Sequence, residues 1–236
     1  RPNYIVMNVN SNAYTYTFAT VMVVIVAVLL SGASLGLKSR QSANITQEKK
    51  QSILASIGIE KNRAESDLIF TQYVKQSLTL SGGQVVSEDA SAAFDIDMAK
   101  AVKSDNMERS VPLYVTEKDG ETFYVVPLRG KGLWGPVWGY LALESDGNTV
   151  VGATFGHKSE TPGLGAEITT PIFTDQFPGQ KISEAGVFQS ISVVKAGTSA
   201  GNYMVDGISG GTITSNGVND MLADCLAPYA VYFKNI

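Results

Sequence analysis

The chain holds one cysteine, Cys225, and one histidine, His157, among 236 residues. A single thiol makes no internal disulfide framework and no thiolate metal cluster, and a single imidazole leaves no histidine-rich metal site. Charge is missing from the start of the chain: between Arg1 and Lys38 there is no acidic or basic side chain. The first 37 residues therefore carry 1 of the 18 Lys and Arg and none of the 22 Asp and Glu. The remaining 199 set 17 basic against 22 acidic side chains, a net of −5. With 44% hydrophobic and 17% charged residues, the composition excludes a disordered protein and one dominated by nucleic-acid binding. No internal repeat and no low-complexity tract is present. The reading is a mildly acidic soluble body, one domain or a tightly joined pair, on an uncharged leader, and not a polytopic membrane protein.

Residues 13–37, AYTYTFATVMVVIVAVLLSGASLGL, form an uncharged run rich in Val, Leu, Ile, Ala and Phe. A bilayer core takes about 20 apolar residues as helix, so the run reads as a transmembrane helix after a short tail, residues 1–12. The competing reading is a signal peptide cleaved near Ser31-Gly32-Ala33. Against it stand the missing basic n-region and a run longer than the usual ~7–15 residues. Tyr14 and Tyr16 fall where an interfacial aromatic belt belongs, while Lys38, Arg40, Lys49 and Lys50, by the positive-inside rule, would put the body in the cytoplasm.

Residues 38–110 read as a helical connecting region. Ile53, Leu54, Ile57 and Ile59, then Leu68, Ile69, Tyr73 and Val74, recur near helical spacing across 44–77, and Gly58 separates two helices there. Residues 81–110 lack a period and read as a connection with a short helix, and the sequon Asn44-Ile45-Thr46 reads as chance. From residue 111 to 236 the pattern is that of a compact domain. Residues 113–116 and 122–126 flank an Asp119-Gly120 turn, and residues 140–143 and 149–155 flank a turn at 145–148, giving two hairpins. A strand follows at 191–195. Ser215 is placed to cap a last helix from Asn216 to Tyr229, with Val218, Met221, Leu222 and Leu226 on one face. Antiparallel hairpins flanked by helices make an α+β fold.

Three segments have compositions that folding alone does not explain. Gly130 to Tyr140 holds four glycines and three large aromatics; it suits either a flat apolar surface with close backbone approach or a turn that buries its tryptophans. His157 to Gly165 contains a Pro162-Gly163 turn that makes an exposed loop with His, Lys, Glu and Thr on its approach. Serine hydrolysis is a poor fit, because no G-x-S-x-G elbow occurs. Val205 to Gly217 alternates hydroxyls and glycines before the last helix, which suits a phosphate at a helix start or a polar turn with an N-cap. It is not a nucleoside-triphosphate loop.

The run Asp206-Gly207-Ile208-Ser209-Gly210-Gly211-Thr212-Ile213-Thr214 resembles the flavinylation motif of FMN-binding domains, in which a threonine hydroxyl is joined to FMN by a phosphoester. Taken with Glu160-Thr161-Pro162-Gly163-Leu164-Gly165, the Gly-Leu-Trp-Gly at 132–135 and the one N-terminal span, nearly the whole chain resembles the NqrC family of Na+-translocating NADH:quinone oxidoreductases. Gly211 stands where that family usually has Ala. The resemblance implies a membrane helix followed by a soluble FMN-binding domain with a twisted, mainly antiparallel sheet flanked by helices. It implies FMN carried covalently on Thr212, with Thr214 the alternative acceptor, and a separate flavin transferase that moves FMN from FAD and recognises a motif containing Asp206. Ser209, Gly210 and Gly211 would shape the backbone around the phosphate. Trp134, Glu160, Thr161, Gly163 and Leu164 would line the isoalloxazine ring, with Lys195 a further contact. The implied role is electron relay among the other subunits of a sodium-pumping membrane complex that oxidises NADH and reduces ubiquinone, with no catalysis by this chain alone. The domain would lie on the periplasmic side of the bacterial inner membrane, against the literal charge count around the span. The RnfG protein of the Rnf electron-transport complex shares the anchor and the threonine motif, and a membrane-anchored ligand-binding module without flavin is a reading from another class. Direct NADH oxidation by this chain is disfavoured, because no dinucleotide-binding G-x-G-x-x-G turn follows a strand.

Overall fold

In the computed structural model, which describes residues 9–60, 62–106 and 108–234, helix α1 runs unbroken from Asn12 to Ser56. Sequence reading expects a span at 13–37 and a separate helix from 44. The two are one because residues 38–52 contain neither Gly nor Pro and include three Lys and three Gln, both good helix formers, so nothing stops the helix. Its 45 residues rise about 68 Å at 1.5 Å each, and its N-terminal part is long and apolar enough to cross a membrane. Most of the expected tail, residues 1–8, lies outside the described residues. The helix stops at Gly58, whose φ is +73°. Gly58 N–H donates to the Ala55 carbonyl at 2.9 Å and Ile59 N–H to that of Leu54 at 3.0 Å, the paired bonds of a Schellman cap that only a residue tolerant of positive φ completes.

The chain divides into two units, one up to Gln47 and one from Glu48 onward. In the first, the Tyr14 and Phe18 rings stack one helical turn apart, with centroids 6.0 Å apart. In the second, after helix α2 (Arg63–Tyr73), the strands β1 (Val74–Ser81), β2 (Gln84–Ser87), β3 (Val111–Lys118), β4 (Glu121–Lys131), β5 (Pro136–Leu143) and β6 (Val150–His157) form one antiparallel sheet. Its order is β2-β1-β3-β4-β5-β6. Short helices α3 (Ala90–Phe94) and α4 (Met98–Ala101) lie between β2 and β3. After β6 come a 3₁₀ turn (Gly165–Thr169), α5 (Pro171–Thr174), an antiparallel pair β7 (Ser183–Glu184) and β8 (Val187–Phe188), and a parallel pair β9 (Ser192–Val194) and β10 (Met204–Asp206). Helix α6 (Thr212–Phe233) closes the fold.

Both expected hairpins form. Asp119 and Gly120 join β3 to β4 with φ of +54° and +83°, the geometry of a type I′ turn that matches strand twist. The second is closed by Asp146, whose carboxylate accepts the backbone N–H groups of Asn148 and Thr149, each at 2.8 Å. Residues 74–87, expected within the helical connecting region, are strands instead. Leu78 and Leu80 alternate with Thr79, and Gly82 and Gly83, at φ +57° and +73°, make a second two-residue turn that pairs Ser81 with Gln84. The last helix starts at Thr212 rather than Asn216, because Ser215 does not cap it: the Ser215 hydroxyl accepts the Ile208 backbone N–H at 2.9 Å from inside the helix.

The sheet buries both faces. Val126 and Leu128 of β4 and Leu141 and Leu143 of β5 point to a core closed by α6 and by Phe155, Phe173 and Phe177, whose ring centroids lie 5.0–5.3 Å apart. Val218, Met221, Leu222, Cys225, Leu226 and Tyr229 recur at helical spacing along α6 and face this core. The alternate residues Val125, Tyr140 and Ala142 point the other way, to Ile53, Leu54, Ile57 and Ile59 at the end of α1.

Candidate functional site

The first turn of α6 is built from the hydroxyl- and glycine-rich run. Gly210 has φ +76° and Gly211 is the N-cap, and no side chain caps the helix. The amides of a first turn have no partner within the helix, and their dipoles favour an anion. Thr212 and Thr214 sit close together on this turn in opposite situations: Thr212 is exposed, whereas Thr214 is 1% exposed.

The 161–165 loop lies against that turn. The Thr161 carbonyl accepts the N–H groups of Leu164 and Ala166, each at 3.1 Å, and Gly163, at φ +75°, donates to the Glu167 carboxylate at 2.8 Å. A Cβ on Gly210 would stand 2.8 Å from a Leu164 methyl. One on Gly211 would stand 3.1 Å from Ile208 Cβ and 3.3 Å from the Gly165 nitrogen, so the alanine usual in the resembling family would need a few tenths of an ångström of give here.

Glu160 joins the three segments. It is 4% exposed; Oε1 accepts the Trp134 backbone N–H at 2.8 Å, and Oε2 accepts the Thr214 hydroxyl at 2.6 Å. Its own N–H donates to His157 Nδ1 at 3.1 Å. Burial pushes this carboxyl up, but the Thr214 hydroxyl, the Trp134 and Leu133 N–H groups and His157 outweigh it and hold the group below the usual glutamate range. The space is cut to fit. A Cβ on Gly132 would stand 2.6 Å from Oε1, and one on Gly165 2.6 Å from Oε2.

Above this buried clasp the surface is apolar and open. Trp134 is 64% exposed, Leu164 42% and Ile213 57%, with Leu133 beside them. The 132–135 turn is closed by the Gly132 N–H donating to the Gly135 carbonyl at 2.8 Å, and Ser159 Oγ donates to the Trp134 carbonyl at 3.0 Å. Trp138 is half-buried over Gly156, with the Arg129 guanidinium 5.6 Å from its ring centroid, so the turn does not bury its tryptophans.

The structure thus brings Trp134, Glu160, Thr161, Gly163, Leu164, Gly210, Gly211 and Thr214 into one cluster at the start of α6, with Thr212 and the exposed Ser209 on its surface. The Glu160 side chain points inward rather than onto the open surface. Lys195 is exposed in the loop after β9, and among the described residues no contact joins it to the cluster. Asp206 holds that same loop: its carboxylate accepts the Ser199 N–H at 2.8 Å and the Thr198 N–H at 3.0 Å, and these bonds, Ser199 first, hold it below the usual range. Sequence reading misses the clearance duties of Gly132 and Gly165 and the exposed Leu133 and Ile213. The paired glycines flanking each motif are the one signal that pointed there.

A family model described as an FMN-binding domain matches residues 132–227. The NqrC subunit of the Na+-translocating NADH-quinone reductase from Vibrio parahaemolyticus is 32% identical over 213 residues, covering 81% of this chain and 82% of that one. Its counterpart from Vibrio alginolyticus is 34% identical over 213 residues, covering 81% of each chain. Among solved structures, the same subunit from Parabacteroides distasonis superposes with a TM-score of 0.76 at 42% identity, covering 85% of this chain and 98% of that one. Shewanella oneidensis NqrC superposes with a TM-score of 0.66 at 26% identity, covering 81% and 98%.

Proposed function

We propose, from the premise that this chain belongs to the NqrC family of Na+-translocating NADH-quinone reductase subunits, that it relays electrons through an FMN carried on Thr212. The observation that carries the choice of residue is the contrast on one helical turn: Thr212 is exposed beside uncapped amides, while Thr214 is buried and donates to Glu160. An exposed hydroxyl at a helix start suits a phosphoester, because first-turn amides stabilise the phosphate charge and Gly210 and Gly211 leave room for its oxygens. A flavin transferase supplies the group from FAD: the Thr212 oxygen bonds to the FMN phosphorus and its proton is lost, the pyrophosphate bond opens, and AMP leaves.

The residues present fit the cofactor. Trp134, Leu164 and Leu133 offer flat and branched apolar surface to a ring tethered at Thr212, and Thr161 and Gly163 shape the loop that bears Leu164. Asp206 is assigned to transferase recognition and Ser209 to the phosphate rim, and Lys195, exposed in the loop after β9, would supply a further contact. The flavin supplies the redox chemistry, and the chain supplies binding, orientation and charge. Residues 13–37 within α1 serve as a single-pass anchor, with residues 1–12 a short tail, and the FMN domain takes in 111–236 together with β1 and β2. The body lies on the periplasmic side, and the other subunits of the sodium-pumping complex are its electron partners.

The test is Thr212→Ala in the full chain co-expressed with a flavin transferase. Wild type is expected to give a fluorescent band on a denaturing gel, with FMN mapped to Thr212 by peptide mass, and Thr212→Ala to fold normally but remain dark. Covalent flavin retained in the variant would overturn the assignment.

A further inference from the structure

We infer that Glu160 is the specificity-determining residue of flavin attachment: its buried carboxylate takes Thr214 out of use and leaves Thr212 as the hydroxyl that is presented. The inference rests on the function proposed above and goes beyond it by assigning the choice between two chemically equivalent threonines to one side chain.

Geometry separates the two hydroxyls. Both threonines offer the same nucleophile on one helical turn, and the uncapped amides of that turn favour an anion at either. Thr214 is withheld twice over. Its hydroxyl proton is committed to Glu160 Oε2 at 2.6 Å, and its oxygen is covered, the residue being 1% exposed. A hydroxyl whose proton is already held in a charge-assisted bond must break that bond, in a site closed to solvent, before it attacks phosphorus. Thr212 meets neither obstacle. The other carboxylate oxygen, bonded to the Trp134 N–H at 2.8 Å, prevents Glu160 from swinging out to release Thr214. Gly132 and Gly165 provide the space in which the carboxylate fits, since a Cβ at either would stand 2.6 Å from one of its oxygens. Glu160 is 4% exposed, and an ionised side chain held so far from solvent is costly unless its charge does something. Holding Thr214 is what this one does.

The chemistry at the two sites balances identically. One threonine O–H and one FAD become one phosphoester and one AMP, with the hydroxyl proton released, so the identity of the product peptide reports the selection directly.

The experiment compares Thr212→Ala alone with Thr212→Ala combined with Glu160→Gln or Glu160→Ala, each as the full chain co-expressed with a flavin transferase. FMN is mapped by peptide mass, and folding is followed by thermal melting. Thr212→Ala alone is expected to stay unlabelled. Glu160→Gln replaces the acceptor facing Thr214 with either an amide donor or a weaker neutral acceptor, and label at Thr214 becomes detectable. Glu160→Ala frees the hydroxyl entirely, and label at Thr214 rises further, at least about tenfold above the single variant, as expected when a nucleophile moves from a blocked to a workable geometry. A loop-support role alone predicts lost label and no migration, so absence of FMN at Thr214 in folded Glu160→Ala overturns the selection. Should Glu160→Ala fail to fold, the nearly isosteric Glu160→Gln decides by the same criterion. A wild-type chain that acquires no covalent FMN would instead sink the proposed function.

Discussion

The two faces of the sheet are closed by different means. On one, α6 lays a continuous apolar stripe from Val218 to Tyr229 across the strands, with the three phenylalanines at its flank, and the cluster at its first turn stands on that base. On the other, the last turns of α1 and helix α2 cover a smaller core that admits a cation: Lys49 Nζ lies 4.1 Å from the Phe94 ring centroid and 5.9 Å from that of Tyr114, and donates to the Phe94 carbonyl. A site that must hold two nearby threonines in opposite environments needs a base that does not shift, and close packing supplies one. The face joined to the long helix has no such duty.

The largest expected effect tests that difference directly. Leu222→Ala empties a fully buried position under α6 and is expected to cost about 3–4 kcal/mol, because surrounding aromatics and strands cannot collapse into the space. For a domain of this size that lowers the melting midpoint by roughly 6–16 °C. Leu54→Ala, at 1% exposure on the other face, is expected to cost nearer ~2 kcal/mol, since the half-buried Ile69, Phe70 and Tyr73 around it have room to adjust. It should also leave FMN on Thr212 at the wild-type level. Equal losses in the two melting curves would show that the faces form one cooperative core and would remove the distinction.

Legibility in the sequence followed how local each feature is. Asp119-Gly120 announced its hairpin because two positive-φ residues between alternating apolar runs admit few other structures. Gly82-Gly83 carried the same signal, but the periodic apolar residues ahead of it drew the helix too far and hid β1. The membrane helix was legible as a composition, though not its length, since the absence of a stop between Lys38 and Ser52 is a weaker sign than a presence. At the site, the motifs gave the cast and their order gave the family. They did not give direction. Glu160 was expected on the ring and lies beneath the open surface, because its partners Trp134 and Thr214 are 26 and 54 residues away and only the folded sheet and α6 bring them together. Thr212 and Thr214 were open alternatives for the same reason: burial on a helical turn depends on what the turn packs against.

The smallest expected effect sharpens the comparison from the side of the second face. Burial lowers the Lys49 ammonium from 10.5 to about 8, and Asp95 offsets part of this. Below pH 8 the ammonium is charged in both the folded and the unfolded chain, and the folded state bears the whole desolvation cost. Between about 8 and 10.5 the unfolded chain binds the proton and the folded one does not, so this group makes stability rise with pH through that window. Lys49→Met keeps the long apolar stem and removes the titration. It is expected to stabilise the domain by about 1 kcal/mol at pH 7, a modest figure because part of the side chain is solvated and the aromatic contacts of the cation are lost. The gain should shrink steadily above pH 8 and vanish near 10.5. Denaturant unfolding of both chains across that range measures it, and a difference that does not change with pH would mean that Lys49 binds its proton equally in the folded and unfolded chains, removing the desolvated cation that sets the second face apart from the first.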